Sequence, residues 1–296
     1  MRHRHATPLE TVSVEVPESA VEPYEAALRG ACATVGFFLD DATGRWRIEG
    51  VKAVGEREPE LIGGLAIAAM ISGVETELAR EATAAEGWLA RTHAAFPEQP
   101  VGRRFAVRGT HLAGPTLPGR ITLTLDAGVA FGSGEHGSTR GCLIALERVA
   151  YRRPRRILDL GTGSGILAMA AARLLHRPVL ASDIDPWSVR VAAENAALNG
   201  VGRLVRSRQG DGWNDPALRA AGPFDLVFAN ILARPLCRMA KSLAAHLAPG
   251  GTAILAGLLE NQARLVLAAH RRRGLVLEGR VREGPWTTLV LRSGGA

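Results

Sequence analysis

One stretch constrains this chain more than any other: Ile157-Leu158-Asp159-Leu160-Gly161-Thr162-Gly163-Ser164-Gly165-Ile166-Leu167-Ala168. A short apolar run carries one acidic residue, a glycine turn follows, and an Ala/Leu-rich segment begins. That order spells strand, sharp loop and helix, the repeating unit of a layered α/β fold. A loop that comes close to a ligand has no room for Cβ atoms and often needs positive φ, which glycine tolerates. The expectation is that Gly161 and Gly163 turn backbone N–H groups toward a bound cofactor.

The downstream segments extend the same grammar. Residues 178–183 read as a second strand ending in Asp183, about 20 residues beyond the glycines, where a carboxylate can accept hydrogen bonds from ribose hydroxyls. Asp185-Pro186 reads as a helix cap followed by proline at the first helical position. Residues 204–208 form a third strand, after which Asp211 is either an adenine contact or a turn residue. Phe224 to Leu232 is a fourth strand with Asn230 at its polar end, beside the crevice where such sheets bind ligands. Pro249-Gly250-Gly251 reads as a helix stop before a strand over 252–257. A final pair, 275–282 and 286–292, joins through Glu283-Gly284-Pro285. The spacing G-x-G-x-G differs from the dinucleotide fingerprint G-x-G-x-x-G, and the closing hairpin also separates this chain from dinucleotide dehydrogenases.

The N-terminal half has another texture. Period-two alternation, helical spacing and the turn Asp40 to Gly44 predict strand 11–16, helix 17–33, strand 35–39, strand 45–54, helix 58–72 and strand 74–81. This β-α-β-β-α-β order is the ferredoxin-like pattern, and no catalytic set of side chains is clustered in it. The expected division is a ferredoxin-like substrate-recognition domain over 1–83, a linker helix (85–96) and connecting strands (101–107 and 120–125) over 84–125, and a cofactor-binding domain over 126–296. Upstream of the glycine strand, 126–140 is a glycine-rich polar loop entering a helix at Ser138 or Thr139, either of which can cap it. His136 in that loop is either a general base or merely polar.

Composition narrows the class. The 296 residues are 47% hydrophobic and 22% charged, as in soluble globular proteins. No apolar run approaches the roughly 18 to 20 residues of a membrane span, and no apolar segment follows the basic N-terminus to make a secretory leader. Three scattered cysteines, Cys32, Cys142 and Cys237, fit neither a disulfide framework nor a metal site, so no metal is expected and a cytoplasmic location is. The net charge of +7 comes almost wholly from arginine. Those arginines are scattered, as in 152–156 and 271–273, without interleaved aromatics, so direct nucleic-acid binding is not expected.

Taken together, D-A-G-V-A-F-G-S-G-E-H-G-S-T-R-G-C (126–142), I-L-D-L-G-T-G-S-G-I-L-A, S-D-I-D-P, F-D-L-V-F-A-N-I-L-A and L-A-P-G-G resemble the PrmA family, methyltransferases of the eleventh large-subunit ribosomal protein. The glycine turn alone is similar to motif I of class I S-adenosylmethionine (SAM) methyltransferases in general; the 131–139 loop with A-N-I-L-A is more specific. Ala127 and Ser133 depart from the proline and threonine common in the family. The resemblance implies a Rossmann-like class I methyltransferase domain with a terminal antiparallel hairpin, behind the small α+β domain. It implies S-adenosyl-L-methionine as cofactor, with contacts at Thr139, Gly161, Asp183 and Asn230. Asn230 also resembles the first residue of the N-P-P-Y type motif, a role in orienting an amine. The implied reaction is methylation of lysine side-chain and/or N-terminal amines of a ribosomal large-subunit protein, free or in the ribosome, by a monomer. Two other readings are an N-methyltransferase acting on RNA or DNA bases and a SAM-binding protein without activity.

Overall fold

The computed structural model describes residues 8–32, 34–40, 43–83, 98–110, 112–125 and 137–294. The linker helix expected over 85–96, most of the 126–140 loop and His136 lie outside them. The chain forms two compact units, residues 1–94 and 95–296.

In the first unit, β1 (Leu9–Val16), α1 (Val21–Ala31), β2 (Thr34–Asp40), β3 (Arg45–Ala53), α2 (Glu58–Ser72) and β4 (Ala79–Thr83) follow one another. The strands form one antiparallel sheet ordered β2-β3-β1-β4. Alternation puts Val12, Val14 and Val16 of β1 and Trp46 and Ile48 of β3 into the core, with Tyr24 and Leu28 of α1 and Leu61 of α2. The helices pack closely at Gly64, where a Cβ would stand 3.1 Å from the Ala27 Cα. Residues 74–78, expected as the start of β4, are instead tied elsewhere: the Val74 carbonyl accepts from Tyr24 Oη at 2.6 Å and Thr76 Oγ1 donates to the Glu15 carbonyl at 2.9 Å. Lys52, 2% exposed, lies across the β1–β3 pair from Glu10. Its ammonium donates to Glu10 at 2.7 Å and to Glu58 at 3.2 Å, and Arg80 bridges the same two carboxylates.

The second unit begins with a small sheet, β5 (Gln99–Val101), β6 (Phe105–Gly109) and β7 (Ile121–Leu125). The sequence reads 101–107 as one strand. It is two, because the turn between them is held by Glu147, whose carboxylate accepts from the N–H groups of Arg103 (3.0 Å) and Arg104 (2.7 Å). Next come α3 (Gly137–Val149), β8 (Ile157–Leu160), α4 (Ile166–Leu175), β9 (Val179–Asp183), α5 (Pro186–Leu198), β10 (Val205–Gln209), α6 (Pro216–Ala221), β11 (Phe224–Asn230), α7 (Ala233–His246), β12 (Leu247–Leu259), α8 (Glu260–Arg271), β13 (Leu275–Glu283) and β14 (Trp286–Ser293). The seven strands from β8 onward form one sheet ordered β10-β9-β8-β11-β12-β14-β13. β8 to β12 are parallel; β14 runs antiparallel between β12 and β13.

Both faces are covered. Ile157, Phe228 and Ile254 meet Leu143, Leu146 and Met169 on one side. Leu158, Val227 and Leu255 meet Leu236, Leu243 and Val266 on the other. This is a three-layer α/β unit whose strand order reverses between β8 and β11, which is where such sheets open a ligand crevice. The Pro249-Gly250-Gly251 stop is absorbed into β12: the β11–β12 register steps from Phe224↔Leu247 to Leu226↔Thr252, so the extra residues bulge out and pairing resumes. Ser138 and Thr139 do not cap α3. The helix begins at Gly137, so both sit buried in its first turn.

Candidate active site

The glycine loop leaves β8 at the switch point and bends through positive φ at Gly161 (+71°) and Gly165 (+82°). A Cβ on Gly161 would stand 2.5 Å from Ile231 Cγ2, and one on Gly165 would stand 3.0 Å from the Ala192 Cα. The two glycines therefore let β8 close against the residue after Asn230 and let α4 close against α5. The N–H groups of Gly161, Thr162 and Gly163 have acceptors within the protein. Gly161 and Thr162 donate to the Ser182 carbonyl at 2.8 and 3.0 Å, and Gly163 donates to Asp183 Oδ2 at 2.9 Å. Gly163 is thus bonded to the residue expected to hold the ribose, and the pair sets the orientation of that carboxylate. Asp183 Oδ1 also accepts from the Asp185 N–H at 3.1 Å. An ionised carboxylate has about four acceptor positions, so Asp183 keeps capacity for two hydroxyl donors.

Asp159 lies beneath the loop, 1% exposed. Its Oδ2 accepts from Thr162 Oγ1 at 2.7 Å and from the Ala168 N–H at 3.0 Å, while Oδ1 has no partner among the described residues. With only neutral donors around it, burial pushes its carboxyl up to about 6. The sequence marks Asp159 only as the one acid in the apolar run before the glycines; the buried orphan oxygen is what the structure adds.

Asn230 ends β11 and donates through Nδ2 to Thr139 Oγ1 at 3.3 Å. Two residues 91 positions apart in sequence, both expected at the site, therefore meet at the sheet's carboxyl end. Asp185 caps α5, accepting from the N–H groups of Trp187 and Ser188 at 3.1 Å each, as the Asp-Pro pair predicts. Asp211 is exposed and accepts from Asn214 Nδ2 at 2.9 Å beside a 3-10 turn. Ile184 adds a group beyond those expected from the sequence. It is 65% exposed beside Asp183, an apolar surface at a polar crevice. An exposed branched residue directly after a strand-terminal acid is the sequence signal that points to it.

These groups fit an adenosine-type cofactor with a cationic end: a fixed carboxylate with spare acceptors, an adjoining apolar surface, a loop without Cβ atoms, and a buried oxygen that lacks a donor. Residues 13–294 match the family described as ribosomal protein L11 methyltransferase (PrmA). The chain belongs to that family. Its class I methyltransferase fold and SAM cofactor follow, and the dehydrogenase and inactive readings fall away. Similar members include the ribosomal protein L11 methyltransferase of Bradyrhizobium diazoefficiens, 50% identical over 219 residues (74% of each chain), and that of Rhizobium meliloti, 42% identical over 254 residues (86% of this chain, 87% of the other). A crystal structure of ribosomal protein L11 methylase from Lactobacillus delbrueckii subsp. bulgaricus superposes with a TM-score of 0.59 at 32% identity, covering 67% of this chain and all of that one. No helix among the described residues is long and apolar enough to cross a membrane.

Proposed function

We propose that this chain methylates ribosomal protein L11 at lysine side-chain and/or N-terminal amines. The target's identity rests on the names of its relatives. The observation that carries the chemistry is the Asn230–Thr139 pair at the end of β11. SAM supplies an activated methyl group when bound. This chain's residues must hold it and bring a neutral amine into line. Asp183 takes the ribose hydroxyls and Ile184 lies against the adenine. Gly161 and Gly163 keep the crevice clear of side chains and hold Asp183 in place. Thr139 fixes the Asn230 amide, leaving Asn230 Oδ1 to accept a hydrogen bond from the incoming amine and direct its lone pair. A lysine amine ordinarily ionises near pH 10.4. Leaving water beside a cationic group favours its neutral form, and alignment then provides much of the rate. Residues 1–83 serve as a ferredoxin-like substrate-recognition domain and 126–296 as the cofactor domain, in a cytoplasmic monomer.

The test is incubation of the full chain with methyl-labelled SAM and either purified L11 or ribosomal RNA. Label in L11, in mass steps of one methyl, is the expected result. Label in RNA alone would establish the base-methylating alternative instead.

A further inference from the structure

The end of the large sheet opposite the cofactor site carries charge that methyl transfer does not use. β8 to β12 are parallel and β13 runs the same way, so the loops that lead from helices into strands all emerge at one edge. Residues 150–156 bring Arg152, Arg153, Arg155 and Arg156 there. Residues 176–178 bring Arg177, 199–204 bring Arg203, and 272–274 bring Arg272 and Arg273. None of these loops contains Asp or Glu, and neither do 222–223 or 248–251. The arginines that look scattered along the chain are therefore gathered by its topology. At the cofactor end the corresponding loops and strand ends carry Asp183, Asp185, Asp211 and Asp215, with Arg208 paired to Asp215 at 2.9 Å.

Two carboxylates near the basic edge are already engaged. Asp225 accepts from the N–H groups of Arg155 (2.8 Å) and Arg156 (2.9 Å), and Glu278 pairs with Arg152 (2.7 Å) and Arg292 (3.3 Å). The guanidinium groups of Arg153, Arg155, Arg177, Arg203, Arg272 and Arg273 are exposed and have no ion-pair partner among the described residues. A cavity of about 280 Å³ opens beside Arg152, Arg153 and Arg155, with Asp225 and residues 249–252 also in its lining. Tyr151 beside it is 74% exposed, with the Arg152 guanidinium 5.4 Å from its ring centre.

We infer that this edge binds the phosphate backbone of single-stranded RNA, with Tyr151 as a stacking surface for an unpaired base. Strands about 4.8 Å apart put the arginine loops along roughly 29 Å from β10 to β13, a row suited to a repeating phosphate rather than to one small anion. The planar guanidinium fork matches phosphate oxygens. An exposed aromatic ring within a basic groove is the usual arrangement for sequence-tolerant single-strand binding. A bilayer would call for an apolar face, whereas these loops supply mainly arginine, glycine and proline.

The test is fluorescence anisotropy of the full chain with a labelled, unstructured 15-nucleotide RNA across 50–300 mM KCl. Arg153→Gln/Arg155→Gln/Arg177→Gln should weaken binding at least tenfold and flatten the salt slope by about 2, at roughly 0.7 per lost phosphate contact. Tyr151→Ala should weaken binding about tenfold with the slope unchanged, since stacking carries no counterion release. Arg238→Gln/Arg264→Gln, on helices α7 and α8, should bind like the parent chain. Methyl transfer to free protein substrate should be normal in every variant, which shows that they fold. The inference is overturned if the parent chain does not bind the RNA, or if both arginine variants weaken it equally. It is also overturned if inorganic pyrophosphate at low millimolar concentration, phosphatidylserine vesicles or a poly-glutamate peptide displaces the RNA.

Discussion

Glu10 in the first unit and Asp159 in the second are both carboxylates buried on strands, and their surroundings are opposite. Glu10 is hydrogen-bonded to the Lys52 ammonium and then to Arg80, which together hold it below the usual carboxylate range. Asp159 meets a hydroxyl and a peptide N–H, retains an oxygen without a donor, and is pushed up. The difference teaches how to tell scaffold from site. A compensated buried charge stabilises its own fold and has nothing left to offer. An uncompensated one leaves the fold short of a positive partner, which a cationic ligand can supply.

The contrast predicts that changes at the crevice alter chemistry without lowering stability, and that changes at the Lys52 cluster lower stability without altering chemistry. The largest effect is expected from Asn230→Ala: methyl transfer falls on the order of 100-fold, the scale of a misaligned reactant, while the melting temperature stays near that of the parent. A large drop in melting temperature would make Asn230 a scaffold residue and break the comparison.

The next concerns Asp159, whose folded value of about 6 lies above its ordinary 3.8. A raised folded value gives stability that is present below pH 3.8 and lost as pH rises through 6. Between pH 4 and pH 8 the parent should lose on the order of 2.5 kcal/mol through this group. Asp159→Asn should not, so in urea titrations the variant gains on the parent as pH rises. In the same variant, calorimetry should show weaker SAM binding at pH 8. Unchanged affinity would remove Asp159 from the ligand's reach.

Lys52→Met comes third. It strands Glu10 beside a neutral side chain and should destabilise the first unit by about 2 kcal/mol. This is less than a fully enclosed pair would give, since Arg80 and Glu58 are over a third exposed and remain nearby. SAM affinity should be unchanged. The smallest effect is on the acid side: Glu10 is lowered, so its contribution is present above its ordinary value of 4.5 and fades as pH falls through its folded value. Amide exchange along β1 should accelerate on acidification relative to intrinsic rates, opposite in sign to the response around Asp159.

Much of this was legible in the residues themselves, and the exceptions share a cause. The β8-turn-α4 unit, the Asp185 cap and the order of strands depend on near neighbours, which a linear reading captures. What escaped it depends on distant partners. The break at 102–104 needs Glu147, the bulge at 249–251 needs β11, and the acceptor for the Gly163 N–H is Asp183. Asp159 and Ile184 gain their meaning once burial is known: the first has a buried oxygen without a donor and the second an exposed apolar side chain. The arginines looked dispersed because chain order does not show that parallel strands start at one edge.

The position of β14 has a further consequence for how the protein is made. Trp286–Ser293 follows every other described strand in the chain, and it fills an interior slot between β12 and β13 rather than an edge. Until it has left the ribosome, β12 presents an unpaired edge and β13 has no neighbour in the sheet. The nascent chain therefore carries an open, aggregation-prone strand from the completion of β12 until β14 emerges, and a chain cut short before residue 286 should remain in that state.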